Sequence, residues 1–107
     1  MEQSILESAG YTVDTAVSAE DALVKVEDSA YRLFVLDVEM PGLNGFQLTR
    51  KLRQDERFAE TPIIIVTSLA KEEHRREGLE AGANAYIVKG EFDQNNLLET
   101  VERLVGK

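Results

Sequence analysis

Two uninterrupted apolar runs constrain this chain most: Leu33, Phe34, Val35 and Leu36, then Ile63, Ile64, Ile65 and Val66. Neither alternates with polar residues, as a strand with one wet face would, so both read as strands covered on two faces. Sheets of that kind are parallel and need crossover connections, usually helical. The intervening sequence supplies them. Ser18 and Asp21 stand at capping-box spacing before Ala22, Leu23, Val26 and Ala30, which share one helical face. Asn44 and Gln47 repeat the spacing before Phe46, Leu48 and Leu52, predicting a helix to about Glu56 that Thr61 and Pro62 break. Lys71 to Ala81 predicts a weak helix. Glu72 and Glu73 suit its amino end, its apolar face is thin, Gly78 interrupts it, and it is expected to be the least firmly anchored element.

Ala83 to Val88 predicts a last strand, and Asp93 can cap a final helix with a stripe of Leu97, Leu98, Val101, Leu104 and Val105. At the start, Met1, Ile5, Leu6 and Ala9 predict a helix closed by Gly10, and Tyr11 to Ala16 a short strand nearer an edge. After that first helix the order is βαβαβαβα. It implies a mostly parallel sheet with helices on both faces, in one domain over residues 1–107.

Composition narrows the function. A hydrophobic content of 43% suffices for one core in 107 residues. The net charge of −8 argues against nonspecific nucleic-acid binding, which needs Lys and Arg to displace counterions, and against docking to anionic lipid. Without cysteine there is no disulfide framework, thiolate nucleophile or Cys-based zinc site. The apolar runs are too short to span a bilayer and the start lacks a signal-peptide layout, so the expectation is a soluble, cytoplasmic protein without membrane or nucleic-acid partners.

Three polar residues each follow the apolar core of a separate strand: Asp37, Thr67 and Lys89. Parallel strands put their carboxyl ends on one edge, so the three are expected to meet in one crevice. There a carboxylate can attack phosphorus, a hydroxyl can hydrogen-bond a phosphoryl oxygen, and an ammonium can neutralise its charge, with a divalent cation completing the balance. The plainer alternative is three unrelated strand-end residues. Glu39 can offer a backbone carbonyl to a metal, whereas Asp14 reads better as a loop cap. His74, alone in a charged segment, reads as solvated; Phe46 and Phe92 read as core or near-core anchors, and Tyr86 taken alone as a packed strand aromatic.

Asp37 with the following MPGLNG, Thr67-Ser68, and Tyr86 three residues before Lys89 together resemble the response-regulator receiver domain of two-component signalling. The resemblance covers essentially the whole chain. It implies a flavodoxin-like (CheY-like) doubly wound parallel sheet. It makes Asp37 the phosphoacceptor, Thr67 the hydroxyl that follows the phosphoryl group, Lys89 its charge partner, Glu39 a main-chain contact to Mg²⁺ beside Asp37, and Tyr86 a rotating aromatic switch. More narrowly, YIVKGEFDQNNLLETVERL and SAGYTVDTAVSAEDAL resemble receivers fused to CheA-type chemotaxis histidine kinases. The implied partner is a kinase phosphohistidine, in such hybrids on the parent kinase itself. The exposed strand edge and the Lys71–Ala81 helix face are the surfaces expected for any homodimer.

Two departures from the family stand out. Gly90 replaces the proline usual after the strand-end lysine, so a cis bond there has no proline to favour it. The family's first strand, with its Mg²⁺-binding acidic pair, has no counterpart in the sequence, which predicts a shortened receiver, natural or trimmed, with weak or absent Mg²⁺ affinity. Two other readings remain open. An interaction module can keep the fold without phosphorylation. A phosphohydrolase of the HAD type also runs Asp, Thr and Lys along a sheet, but needs DxD where Asp37-Val38-Glu39 stands. As a receiver, the chain is expected to show at most self-phosphorylation and autodephosphorylation.

Overall fold

A computed structural model describes residues 6–10, 19–27, 31–38, 44–88 and 94–105. The expected strand at 11–16, Asp14, Ser18, Ala30, Glu39, the turn at 40–42, Lys89, Gly90, Phe92 and Asp93 lie outside those residues. The described elements are α1 (Ala19–Glu27), β1 (Phe34–Leu36), α2 (Gly45–Gln54), a 3-10 turn (Glu56–Phe58), β2 (Ile63–Thr67), α3 (Glu72–Ala81), β3 (Ala85–Val88) and α4 (Gln94–Val105). Before them, residues 6–8 are helical and Gly10, at φ +96°, stands where a helix-closing glycine is expected. No helix among the described residues is long and apolar enough to cross a membrane.

The three strands are parallel, in the order β1-β2-β3. Leu36 pairs with Ile65, and Thr67 pairs with Val88. Every residue of β2 is buried, as its unbroken apolar run predicts. Its side chains alternate between two cores: Ile63 and Ile65 join Val26 of α1 and Phe46, Leu48 and Leu52 of α2, while Ile64 and Val66 join Leu6 and Leu97 and Val101 of α4. Helices therefore cover both faces. Full burial of each such side chain is worth about 2 kcal/mol against exposure, so a polar substitution in β2 removes support from the core that the side chain faces.

The capping box expected at α2 is present: Asn44 Oδ1 accepts from the Gln47 amide at 2.9 Å, and Gln47 Oε1 accepts from the Asn44 amide at 2.9 Å. The helix stops at Gln54, before the expected Glu56, because Asp55 is extended and its side chain caps the 3-10 turn. The last strand begins at Ala85, later than Ala83. Two corrections concern α3. The helix runs through Gly78 without a break, and His74 is half-buried where a solvated position was expected. His74, Gly78 and Ala81 share one helical face by spacing, and the latter two are buried; His74 Nδ1 is buried with no hydrogen-bond partner among the described residues.

The amino edge of the sheet is held by Arg53. Its guanidinium donates to the carbonyls of Gly82 (3.0 Å), Phe58 (2.7 Å) and Thr61 (2.7 Å) and to Asn84 Oδ1 (2.8 Å). That same Asn84 oxygen also accepts from the Ile63 amide at 2.9 Å. Gly82 stands at φ +120°, and a Cβ there would meet Arg53 Cγ at 2.7 Å, so the turn after α3 is fitted to the arginine. Nearby, Arg57 is paired with Asp55 at 2.8 Å, donates to the last carbonyls of α1 and lies 4.9 Å from the Phe58 ring centroid. The side-chain hydrogen bond from Arg57 holds the Asp55 carboxyl below its usual range.

Candidate functional site

Asp37 follows β1 directly and Thr67 ends β2, so a carboxylate and a hydroxyl stand at the carboxyl ends of adjacent parallel strands. Lys89, expected beside them, lies outside the described residues; in sequence it follows Val88, the register partner of Thr67. Asp37 is half-buried, whereas Val38 turns into the core. The amino end of α2 is pressed against this strand end. The Gly45 amide donates to the Val38 carbonyl at 3.2 Å, and a Cβ on Gly45 would fall 2.7 Å from the Asp37 carbonyl oxygen. A side chain there would push the helix away. The Gly45 and Gln47 amides are committed to Val38 and Asn44, so neither is a free N–H donor to the site.

Thr67 is fully buried, and its Oγ1 accepts from the Leu69 amide at 3.3 Å. The Tyr86 hydroxyl donates to the Leu69 carbonyl at 2.8 Å. The residue expected to follow a phosphoryl group and the residue expected to rotate are thus joined through the backbone of Leu69. Tyr86 is 8% exposed, which raises its phenol pKa above the ordinary 10.0; Arg75 opposes the shift and Glu77 adds to it. Sequence reading missed Leu69, Gly45 and Arg75. Of these, only Gly45 carried a signal, as a glycine directly after a helix cap.

No group of three or more His, Cys, Asp or Glu side chains is assembled for a metal among the described residues. A groove lined by Arg32, Glu56, Arg57, Glu60, Pro62 and Leu104 lies at the opposite, amino edge and is separate from this site.

Residues 1–102 match the family described as the response regulator receiver domain. The chain is 43% identical over 103 residues to the gliding motility regulatory protein of Myxococcus xanthus, covering 96% of this chain and 13% of that protein. It is 34% identical over 100 residues to the phosphate regulon transcriptional regulatory protein of Rhizobium meliloti, covering 94% of this chain and 44% of that protein. The chain therefore spans less than half the length of these relatives. Among solved structures, a putative response regulator from Chloroflexus aurantiacus superposes with a TM-score of 0.93 at 31% identity, covering 100% of this chain and 87% of that one. The receiver domain of a sensor histidine kinase from Pseudomonas aeruginosa gives a TM-score of 0.88 at 30% identity, covering 99% of this chain and 86% of that one. Its structure has a magnesium ion coordinated in the active-site cleft.

Proposed function

The chain belongs to the response regulator receiver domain family of two-component signalling, and on that premise we propose that Asp37 is its phosphoacceptor. The observation that carries this reading is the placement of Asp37 and Thr67 at the carboxyl ends of neighbouring parallel strands, with Asp37 only half-buried. A carboxylate oxygen of Asp37 attacks the phosphorus of a phosphohistidine; the P–N bond breaks, the electron pair leaves with the imidazole, and an aspartyl phosphate forms. Water later attacks the same phosphorus, releasing inorganic phosphate and restoring the carboxylate. Thr67 donates its hydroxyl to a phosphoryl oxygen, Lys89 balances charge, and Tyr86 repositions with the loop that carries Leu69.

A hard oxygen donor such as the Asp37 carboxylate suits Mg²⁺, and Glu39 is the proposed main-chain contact. Bound there, the ion would offset the negative charge that gathers during transfer. With Asp37 as the one carboxylate donor at the site among the described residues, the proposed affinity is weak. The proposed donor is a histidine kinase, with the parent protein a CheA-type hybrid. The occurrence of similar receivers within histidine kinases from Pseudomonas aeruginosa and Syntrophus aciditrophicus supports a kinase-borne receiver.

Incubating the chain with acetyl phosphate and Mg²⁺ tests the reading. Intact mass is expected to rise by one phosphoryl group in the wild type and to stay unchanged in Asp37→Asn. A folded wild-type chain that takes up no phosphoryl group would instead be an interaction module.

A further inference from the structure

The Tyr86 ring sits in a place made for it by α3. A Cβ built on Gly78 would fall 2.8 Å from Tyr86 Cδ2 and 3.0 Å from Cε2, well inside contact distance, with Ile65 Cδ1 behind at 3.3 Å. Gly78 has an ordinary helical backbone, so the glycine is not needed for chain conformation. Its use is the space it leaves. One turn earlier on the same helix, the Arg75 guanidinium is 5.4 Å from the Tyr86 ring centroid, and its Nη1 donates to the Tyr86 carbonyl at 3.4 Å. The hydroxyl is fixed separately, on Leu69.

We propose that Gly78 and Arg75 form a slot and latch on α3 that set whether the Tyr86 ring sits inward, so that α3 itself tunes the switch. The inference rests on reading Tyr86 as the switch of the phosphoacceptor site. Helix and ring are then one moving part. When α3 shifts, the space beside Gly78 and the cation over the ring are lost together. Conversely, a methyl at position 78 fills the slot and drives the ring out, although alanine is otherwise a better helix former than glycine.

The test uses the 107-residue chain with 3-fluorotyrosine at its three tyrosines, the Tyr86 ¹⁹F resonance being assigned by its loss in Tyr86→Phe. In Gly78→Ala the resonance is expected to move to the position and solvent-isotope response of an exposed tyrosine, with unchanged far-ultraviolet circular dichroism. Arg75→Ala is expected to move it part of the way. A resonance that stays at its buried position in a folded Gly78→Ala chain overturns the proposal. Should that variant fail to fold, Arg75→Ala decides alone, and an unmoved resonance overturns it. Phosphoryl uptake from acetyl phosphate is followed separately by mass, and Asp37→Asn is expected to leave the buried resonance in place. Loss of phosphoryl uptake and loss of the slot are therefore read independently.

Discussion

At the amino edge of the sheet one guanidinium, Arg53, reaches four acceptors on separate segments, whereas at the carboxyl edge the hydroxyls of Thr67 and Tyr86 meet on the backbone of one residue, Leu69. The first arrangement ties the end of α2, the 3-10 turn and the turn after α3 to one rigid fork. The second ties a buried strand end to a loop by two neutral hydrogen bonds, one of them long at 3.3 Å. The same helix, α3, feels both. Its carboxyl end is fitted to Arg53 through Gly82, while its amino end begins at Lys71 with no side-chain cap. A helix held at one end and lightly at the other can turn about the held end without unfolding the sheet, which is what the proposed phosphorylation of Asp37 would need from its surroundings.

Arg53→Met has the largest expected effect on stability. Four charge-assisted bonds go, carbonyls in a half-buried cluster lose their donor, and the urea-unfolding midpoint should report a loss of about 3 kcal/mol. The folded fraction should still take a phosphoryl group from acetyl phosphate. Thr67→Val, nearly isosteric, is expected to cost about 1 kcal/mol by leaving the Leu69 amide without its acceptor, while slowing phosphoryl uptake. Were it to cost as much as Arg53→Met, the two edges would be equally anchored and the contrast would collapse. Tyr86→Phe keeps the ring in place and removes one hydrogen bond to a carbonyl, with an expected cost of about 0.5–1 kcal/mol by thermal melting.

The smallest effect is one of pH. The folded phenol of Tyr86 has its pKa raised above 10.0, so above that value the unfolded chain gives up this proton first. Stability contributed by the neutral phenol is thus complete below pH 10.0 and is lost as pH climbs through the higher folded value. Denaturation midpoints of the wild type should fall in that range more steeply than those of Tyr86→Phe. Equal slopes would place the alkaline sensitivity elsewhere.

Most of the frame could be read from the sequence because its signals are local. The Ile63–Val66 run has no period for one wet face, and β2 is buried on both. Asn44 and Gln47 three residues apart announced a capping box that the structure shows bond for bond. What escaped are contacts made across the fold. The role of Arg53 depends on acceptors both near and far, Phe58 and Thr61 at 5 and 8 residues and Gly82 and Asn84 at 29 and 31, and no periodicity marks an arginine as their donor. Gly78 looked like a helix breaker because its neighbour Tyr86 lies on another strand, where only tertiary packing reveals that the missing side chain makes room for a ring. His74 misled for the opposite reason. Its charged neighbours suggested water on all sides, but its spacing with Gly78 and Ala81 turns it toward the core. At the site, the strand-end rule placed Asp37 and Thr67 on one edge, and the backbone of Leu69 that links Thr67 to Tyr86 had no side-chain signature at all.

Amide hydrogen exchange with and without acetyl phosphate and Mg²⁺ tests the account most directly, because it reads both edges in one experiment. The predicted result is altered exchange at Leu69 and along the first turns of α3, with Gly82 to Asn84 unchanged, and none of it in Asp37→Asn. Unaltered exchange at Leu69 in a chain whose mass shows the phosphoryl group, or changes centred on Gly82 to Asn84, would contradict it.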